Sequence, residues 1–179
     1  MSARNLESRA FPQSVAALLA ELGVPADRLN IEITETALAA DAVAAARAVG
    51  ALAGQGIIIA IDDFGKGYTS LSQLRTLPIT ELKIDRTFLI DLEQDKRNRA
   101  IVRSIIGLAD GLGCRVTAEG AESPDIAAWL AAAGCQCAQG FLFSKPLPRE
   151  ELINRYRRRA DTENVHRGQP LTSLEGSWT

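Results

Sequence analysis

The 179 residues carry 20 Lys and Arg against 22 Asp and Glu, a formal net charge of −2, with 46% hydrophobic and 23% charged residues. That balance excludes a wholly disordered chain and provides no basic footprint for a nucleic acid polymer or an anionic membrane. The one histidine, His166, lies in a polar stretch near the end, so chemistry here rests on carboxylates, lysine, cysteine or backbone.

The length predicts one domain with a real core. No apolar run approaches the roughly 20 residues of a membrane span, and the opening MSARNLESRAF has no apolar stretch of the kind a signal peptide needs. The three cysteines, Cys114, Cys135 and Cys137, are odd in number and read as small core side chains of a cytoplasmic protein.

In chain order, Gln13 to Leu22 reads as a helix closed by Gly23 and Pro25, and Leu29 to Ile33 as a strand. Asp41 to Ala53 is an Ala-rich helix with Asp41 at its N-cap. Ile57 to Ile61 is a continuous β-branched run, the pattern of a strand buried on both faces. Tyr68 to Thr76 predicts a short helix ahead of Pro78, and Glu81 to Ile84 a third strand. Asp95 to Leu112 places Ile101, Ile105, Leu108 and Leu112 on one helical stripe. Arg115 to Ala118 is a fourth strand. Ser123-Pro124 opens a helix to Ala133, and Cys135 to Ala138 is a fifth strand. Pro148 starts a last helix through Arg158, and 161–179 reads as a poorly ordered polar tail whose Trp178 could dock elsewhere. Strands alternating with helices predict a parallel α/β sheet with its helices outside.

Polar groups recur where these strands end. Glu32 and Glu35 follow the first, Asp62 and Asp63 the second, Glu119 and Glu122 the fourth, and Gln139 the fifth, while the third carries Lys83 and Asp85. Sites in parallel α/β folds are built at that edge. Hard oxygen donors without His or thiolate suit Mg²⁺ or Mn²⁺. Lys83 alternates with Leu82 and Ile84, so it points away from them, into a barrel lumen, where an ammonium offsets carboxylate repulsion. Plainer readings stand beside these. Asp62-Asp63 also fits an Asx turn, Glu35 an exposed loop carboxylate, and Gly65-Lys66-Gly67 either a phosphate cradle or a flexible turn.

Several segments stand in a fixed order: Glu32-Ile33-Thr34-Glu35, Asp62-Asp63-Phe64-Gly65-Lys66-Gly67-Tyr68, Leu82-Lys83-Ile84-Asp85, Ala118-Glu119-Gly120-Ala121-Glu122 and Gln139-Gly140-Phe141-Leu142-Phe143-Ser144-Lys145-Pro146. Together they resemble the EAL family, bacterial phosphodiesterases that linearise cyclic di-GMP. The resemblance implies a modified TIM barrel with one antiparallel strand, two divalent metals, and a metal-activated water attacking one phosphodiester bond. It implies Glu32, Asp62, Asp63 and Glu119 as metal-associated carboxylates and Lys83 as the contact of the attacking water. Glu119 is also implied in water activation. Glu35 is implied as the anchor of the loop after Asp62-Asp63, and Glu122 and Gln139 as residues shaping the substrate side.

Departures from that pattern set further expectations. The 179 residues contain no Glu-Ala-Leu, whose Glu is a metal ligand in the family. Ser2-Ala3-Arg4 matches a family segment whose Asn ligand would fall just before Met1. The expectation is an incomplete barrel, about five β/α units of eight strands, occupying 1–160, with impaired or absent catalysis. The alternative is a non-catalytic cyclic di-GMP-binding or protein-interaction module. Lys66 stands where the family usually has a small residue. An unclosed sheet leaves strand edges unpaired, so a homo-oligomer or a partner completing the barrel is expected. Its inner face, with Ile57, Ile59 and Ile61 or their neighbours, would then meet water.

Overall fold

The computed structural model describes residues 1–67 and 69–166, with side chains described through Arg157. The chain divides into two compact units, Met1–Phe143 and Ser144–Thr179. The first opens with two helices, α1 (Ala3–Glu7) and α2 (Phe11–Leu22). Strand β1 (Asn30–Thr34) runs into α3 (Glu35–Ala40) and α4 (Ala42–Ala53). Then come β2 (Ile58–Phe64), α5 (Leu71–Leu74), β3 (Glu81–Ile84), α6 (Lys96–Leu112), β4 (Arg115–Glu119), α7 (Pro124–Ala132) and β5 (Cys137–Gln139). The second unit holds α8 (Arg149–His166), in which Arg155 donates to Ser144 Oγ at 2.9 Å.

Two helix starts follow the expected caps: Asp41 accepts from the amides of Val43 and Ala44, and Ser123 from that of Ile126. Asp95, expected as the first residue of its helix, is instead the cap of α6 and accepts from the amides of Arg97 and Asn98. Two helices were not legible. In α3, Thr34 caps Ala37 at 3.3 Å directly from the strand end, so no loop residues announce it. In α1, no side chain caps the start. The helix expected from Tyr68 is only the turn α5: the Thr69 amide is given to Glu35 at 2.6 Å, and Ser70 is the cap. Tyr68 itself lies outside the described residues. Helix α8 runs past Arg158 to His166, and 167–179, with Trp178, lie outside them too.

The strands form one parallel sheet in the order β1-β2-β3-β4-β5. Register pairs Glu32 with Ala60, Ala60 with Glu81, Glu81 with Arg115, Lys83 with Thr117, and Glu119 with Gln139. Because strand side chains alternate, one face carries Asn30, Glu32, Asp62, Glu81, Lys83, Thr117 and Glu119. The other carries Ile33, Ile59, Ile61, Leu82, Ile84 and Val116, all fully buried, in one core with Val49 and Leu52 of α4 and Val102 and Ile105 of α6. This corrects the expectation for the second strand. Ile57, Ile59 and Ile61 are 3%, 0% and 0% exposed, on the helix-packed side, because the polar side chains of β1, β3 and β4 claim the other face.

Among the described residues β1 pairs only with β2, and β5 only with β4. The N-terminal segment lies beside β1. The Met1 amino group donates to the Glu32 carbonyl, Arg47 of α4 to the Glu7 carbonyl at 3.1 Å, and Gln55 to the Pro12 carbonyl at 3.3 Å. No helix among the described residues is long and apolar enough to cross a membrane.

Candidate active site

Lys83 is the centre of the polar face. It is 4% exposed, and its ammonium lies 2.7 Å from Glu32 Oε1, 2.5 Å from Glu119 Oε1 and 3.4 Å from Asp62 Oδ1. Four strands thus bring one cation and three carboxylates together at their C-terminal ends. Gln139 of β5 donates to the same Glu119 Oε1 at 2.7 Å. Glu122 is exposed in the loop after β4 and joins none of these contacts.

Asp62 and Asp63 part company. The β2–β3 register shifts between Ile61 and Phe64, and Asp63 takes φ 56°, a left-handed conformation that a side chain rarely adopts. Asp62 stays with Lys83. Asp63 Oδ1 instead meets Lys66 at 3.0 Å, and Lys66 also reaches Asp85 Oδ2 at 3.0 Å. Asp85 accepts in addition from the amide of Thr87 at 2.9 Å and from its hydroxyl.

Glu35 is not an exposed loop carboxylate. It is 2% exposed at the start of α3 and accepts from the amides of Gly65, Gly67 and Thr69 at 3.2, 3.2 and 2.6 Å. Gly65, at φ 109°, leaves no room for a side chain: a Cβ would stand 2.6 Å from the Phe88 ring. Gly140 does the same after β5, where a Cβ would lie 2.1 Å from the Ala121 carbonyl oxygen. That contact lets Ala121 N donate to the Gln139 carbonyl at 3.0 Å and ties the β4 and β5 loops together.

Burial works against the Lys83 charge, but hydrogen bonds to Glu119 and Glu32 and the fields of Glu119 and Asp62 outweigh it and raise its pKa well above the ordinary value. Burial pushes the Glu119 carboxyl up, aided by the negative neighbours Asp62 and Glu32 and opposed by Lys83. Asp62 Oδ1 is buried and accepts no hydrogen bond, since Lys83 at 3.4 Å is an ion pair only. The site therefore holds a proton-rich lysine, a glutamate inclined to take a proton, and a carboxylate oxygen short of a partner.

A family model for the EAL domain matches residues 1–146. The chain belongs to the EAL domain family. It is 36% identical over 149 residues to the cyclic di-GMP phosphodiesterase RocR of Pseudomonas aeruginosa, a match covering 83% of this chain and 38% of RocR. It also matches a solved structure described as the PaMucR phosphodiesterase in complex with c-di-GMP, with TM-score 0.81 and 38% identity. That match spans 85% of this chain and 62% of the other. BlrP1 of Klebsiella pneumoniae, solved as a manganese/cy-diGMP complex, matches with TM-score 0.73 and 32% identity over 79% of this chain and 36% of its own. The chain therefore spans less than two thirds of the length of each of these relatives.

The EAL fold thus accounts for the five parallel strands. The donor set suits a hard divalent cation: every available ligand is an oxygen, and Asp62 Oδ1 is buried without a donor. Among the described residues no three or more His, Cys, Asp or Glu side chains gather into a metal cage. The arrangement is an open carboxylate face, the kind at which Mg²⁺-like ions keep part of their water. Sequence reasoning missed the pairing of Lys66 with Asp85 and the role of Glu81, 5% exposed at the opposite end of the same face. The Glu81-Leu82-Lys83 alternation was the signal that could have found Glu81.

Proposed function

We propose that this chain is the larger part of a divalent-metal-dependent domain that hydrolyses cyclic di-GMP to the linear dinucleotide, and that the 179 residues alone turn it over slowly. The observation that carries the reading is the Lys83 ammonium held among Glu32, Asp62 and Glu119 at neighbouring strand ends. Glu32, Asp62, Asp63 and Glu119 would hold Mg²⁺ or Mn²⁺. Bound, such ions supply an acidified water and charge neutralisation for in-line displacement. Lys83, kept protonated, donates to the attacking water and to the oxygen on which negative charge grows, and it cannot serve as the base. Glu119, beside Lys83 and oriented by Gln139, is the carboxylate placed to take the water's proton. Glu35 holds the loop after β2 in place, and Glu122 faces the substrate side from the β4 loop. Slow turnover follows from a face without the Glu of Glu-Ala-Leu.

The same face without the Glu of Glu-Ala-Leu also favours a second reading, a module that binds cyclic di-GMP without cleaving it. The β1 and β5 edges support assembly, with a second copy or a partner polypeptide adding strands there. The three free thiols suit a cytoplasmic setting. The test is incubation of the chain with cyclic di-GMP and Mn²⁺ or Mg²⁺, with chromatographic separation of products and calorimetry in parallel. Slow, metal-dependent appearance of the linear dinucleotide is expected. Binding without product would favour the module, and neither binding nor product would sink both readings. Sedimentation across a concentration series tests assembly, with a strictly monomeric species at every concentration and no partner as the contrary result.

A further inference from the structure

Lys66 has no role in the chemistry assigned above, yet it is the second cation of the site. Its ammonium bridges Asp63 and Asp85, which belong to the ends of different strands. The loop that carries it is held on both flanks, because Glu35 accepts from the amides of Gly65 and Gly67. The left-handed turn at Asp63 aims that carboxylate off the strand and toward the lysine. The two lysines differ in how firmly they are held. The Lys83 side chain is 6% exposed, whereas the side chains of Lys66 and Asp63 are 43% and 39% exposed. The Asp85 side chain is 6% exposed, so only the Lys66–Asp63 pair is open to water on both sides; that pair is screened and weak, and a stronger cation can displace it.

We propose that Lys66 is a tethered cation that competes with a divalent ion for Asp63, so that the ion enters beside Asp85 only as the ammonium leaves. The inference rests on the divalent reading given under Proposed function. In the resting chain the ammonium offsets the repulsion between Asp63 and Asp85. A divalent ion replaces one charge with two and suits the same oxygen donors. Lys66 thereby sets the ion concentration at which this part of the site fills.

The experiment measures Mn²⁺ affinity of the full chain by calorimetry, with free Mn²⁺ read by electron paramagnetic resonance. The variants are Lys66→Gln, Lys66→Arg, Asp63→Asn, the double variant Lys66→Gln/Asp63→Asn, and Asp62→Asn. Lys66 is on the surface, so circular dichroism should show every Lys66 variant folded. Lys66→Gln should tighten Mn²⁺ binding about three- to fivefold, the scale of a screened surface pair. Lys66→Arg should stay near wild type, and the gain should vanish in the Asp63→Asn background. A lysine that merely staples the loop has the opposite sign: Lys66→Gln would then weaken binding or leave it unchanged, and the proposal falls. If Asp62→Asn weakens Mn²⁺ binding while Lys66→Gln does nothing, only the Lys66 inference is lost. If neither wild type nor Lys66→Gln binds Mn²⁺, the divalent reading is lost and the inference with it.

Discussion

The two ends of the sheet's polar face are built as opposites. At the N-terminal end one buried carboxylate, Glu81, is surrounded by donors: Asn30 at 3.1 Å, Arg115 at 3.1 Å and the Thr117 hydroxyl. At the C-terminal end one buried ammonium, Lys83, is surrounded by the acceptors Glu32, Asp62 and Glu119. The first cluster is electrically balanced by Arg115, and both Glu81 oxygens are hydrogen-bonded. The second has more carboxylates than cations, and Asp62 Oδ1 has no donor. A satisfied buried network fixes structure, while an excess of like charge is a feature of places where a cation or ligand is bound. The same strands thus supply a satisfied plug at one end and the candidate site at the other.

The sharpest way to break this contrast is Lys83→Ala. Whatever turnover the chain shows should fall by roughly 10²–10³-fold, as when a transition-state donor is removed. Steady-state assay at saturating Mn²⁺ reads it, and retained activity would mean that the lysine is only a charge filler. Glu81→Ala should do the reverse. Removing one member of a buried, hydrogen-bonded network should cost about 2–4 kcal/mol in urea unfolding while Mn²⁺ affinity stays put. A loss of metal binding there would show that the two ends are coupled.

Glu35→Ala comes next. Three loop amides lose their acceptor, which should cost about 1–3 kcal/mol. Hydrogen exchange should quicken at Gly65, Gly67 and Thr69 but not at Leu82 or Ile84 in β3. Uniform quickening would assign Glu35 to the core rather than to the loop.

The smallest effects are in pH. Burial alone would raise Asp85, but the Thr87 hydroxyl, the Asp63 side chain, the Thr87 amide and Lys66 hold it well below its ordinary value of 3.8. Its folded form binds a proton less readily than its unfolded form. The stability it contributes is therefore present above 3.8 and is lost as pH falls below that value. Glu119 runs the other way. Its carboxyl is raised above 4.5, so stability should decline as pH climbs from 4.5 through its folded value. Urea titrations between pH 3 and 7 should show Asp85→Asn flattening the acid-side loss and Glu119→Gln removing the decline above 4.5. Identical profiles in both variants and wild type would contradict these assignments.

Much of this was legible in the chain itself. The alternation Glu81-Leu82-Lys83-Ile84 already put Lys83 on a polar face, because strand side chains repeat every two residues. The ordered segments around Glu32, Asp62, Glu119 and Gln139 carried the family, since each spacing reflects a strand end and the turn that follows it. Caps such as Asp41 and Ser123 marked helix starts through local hydrogen bonds. The run Ile57 to Ile61 was different, because an unbroken apolar segment has no period and so no readable face. Which side it buries was decided by its neighbours, since the register with Glu32 and Glu81 left only the helix side for Ile59 and Ile61. The left-handed turn at Asp63 and the pairing of Lys66 with Asp85 were likewise settled only in three dimensions. Positive φ at a non-glycine residue is set by the strain its surroundings will hold, and a contact across nineteen positions of chain depends on how two strand ends are placed side by side.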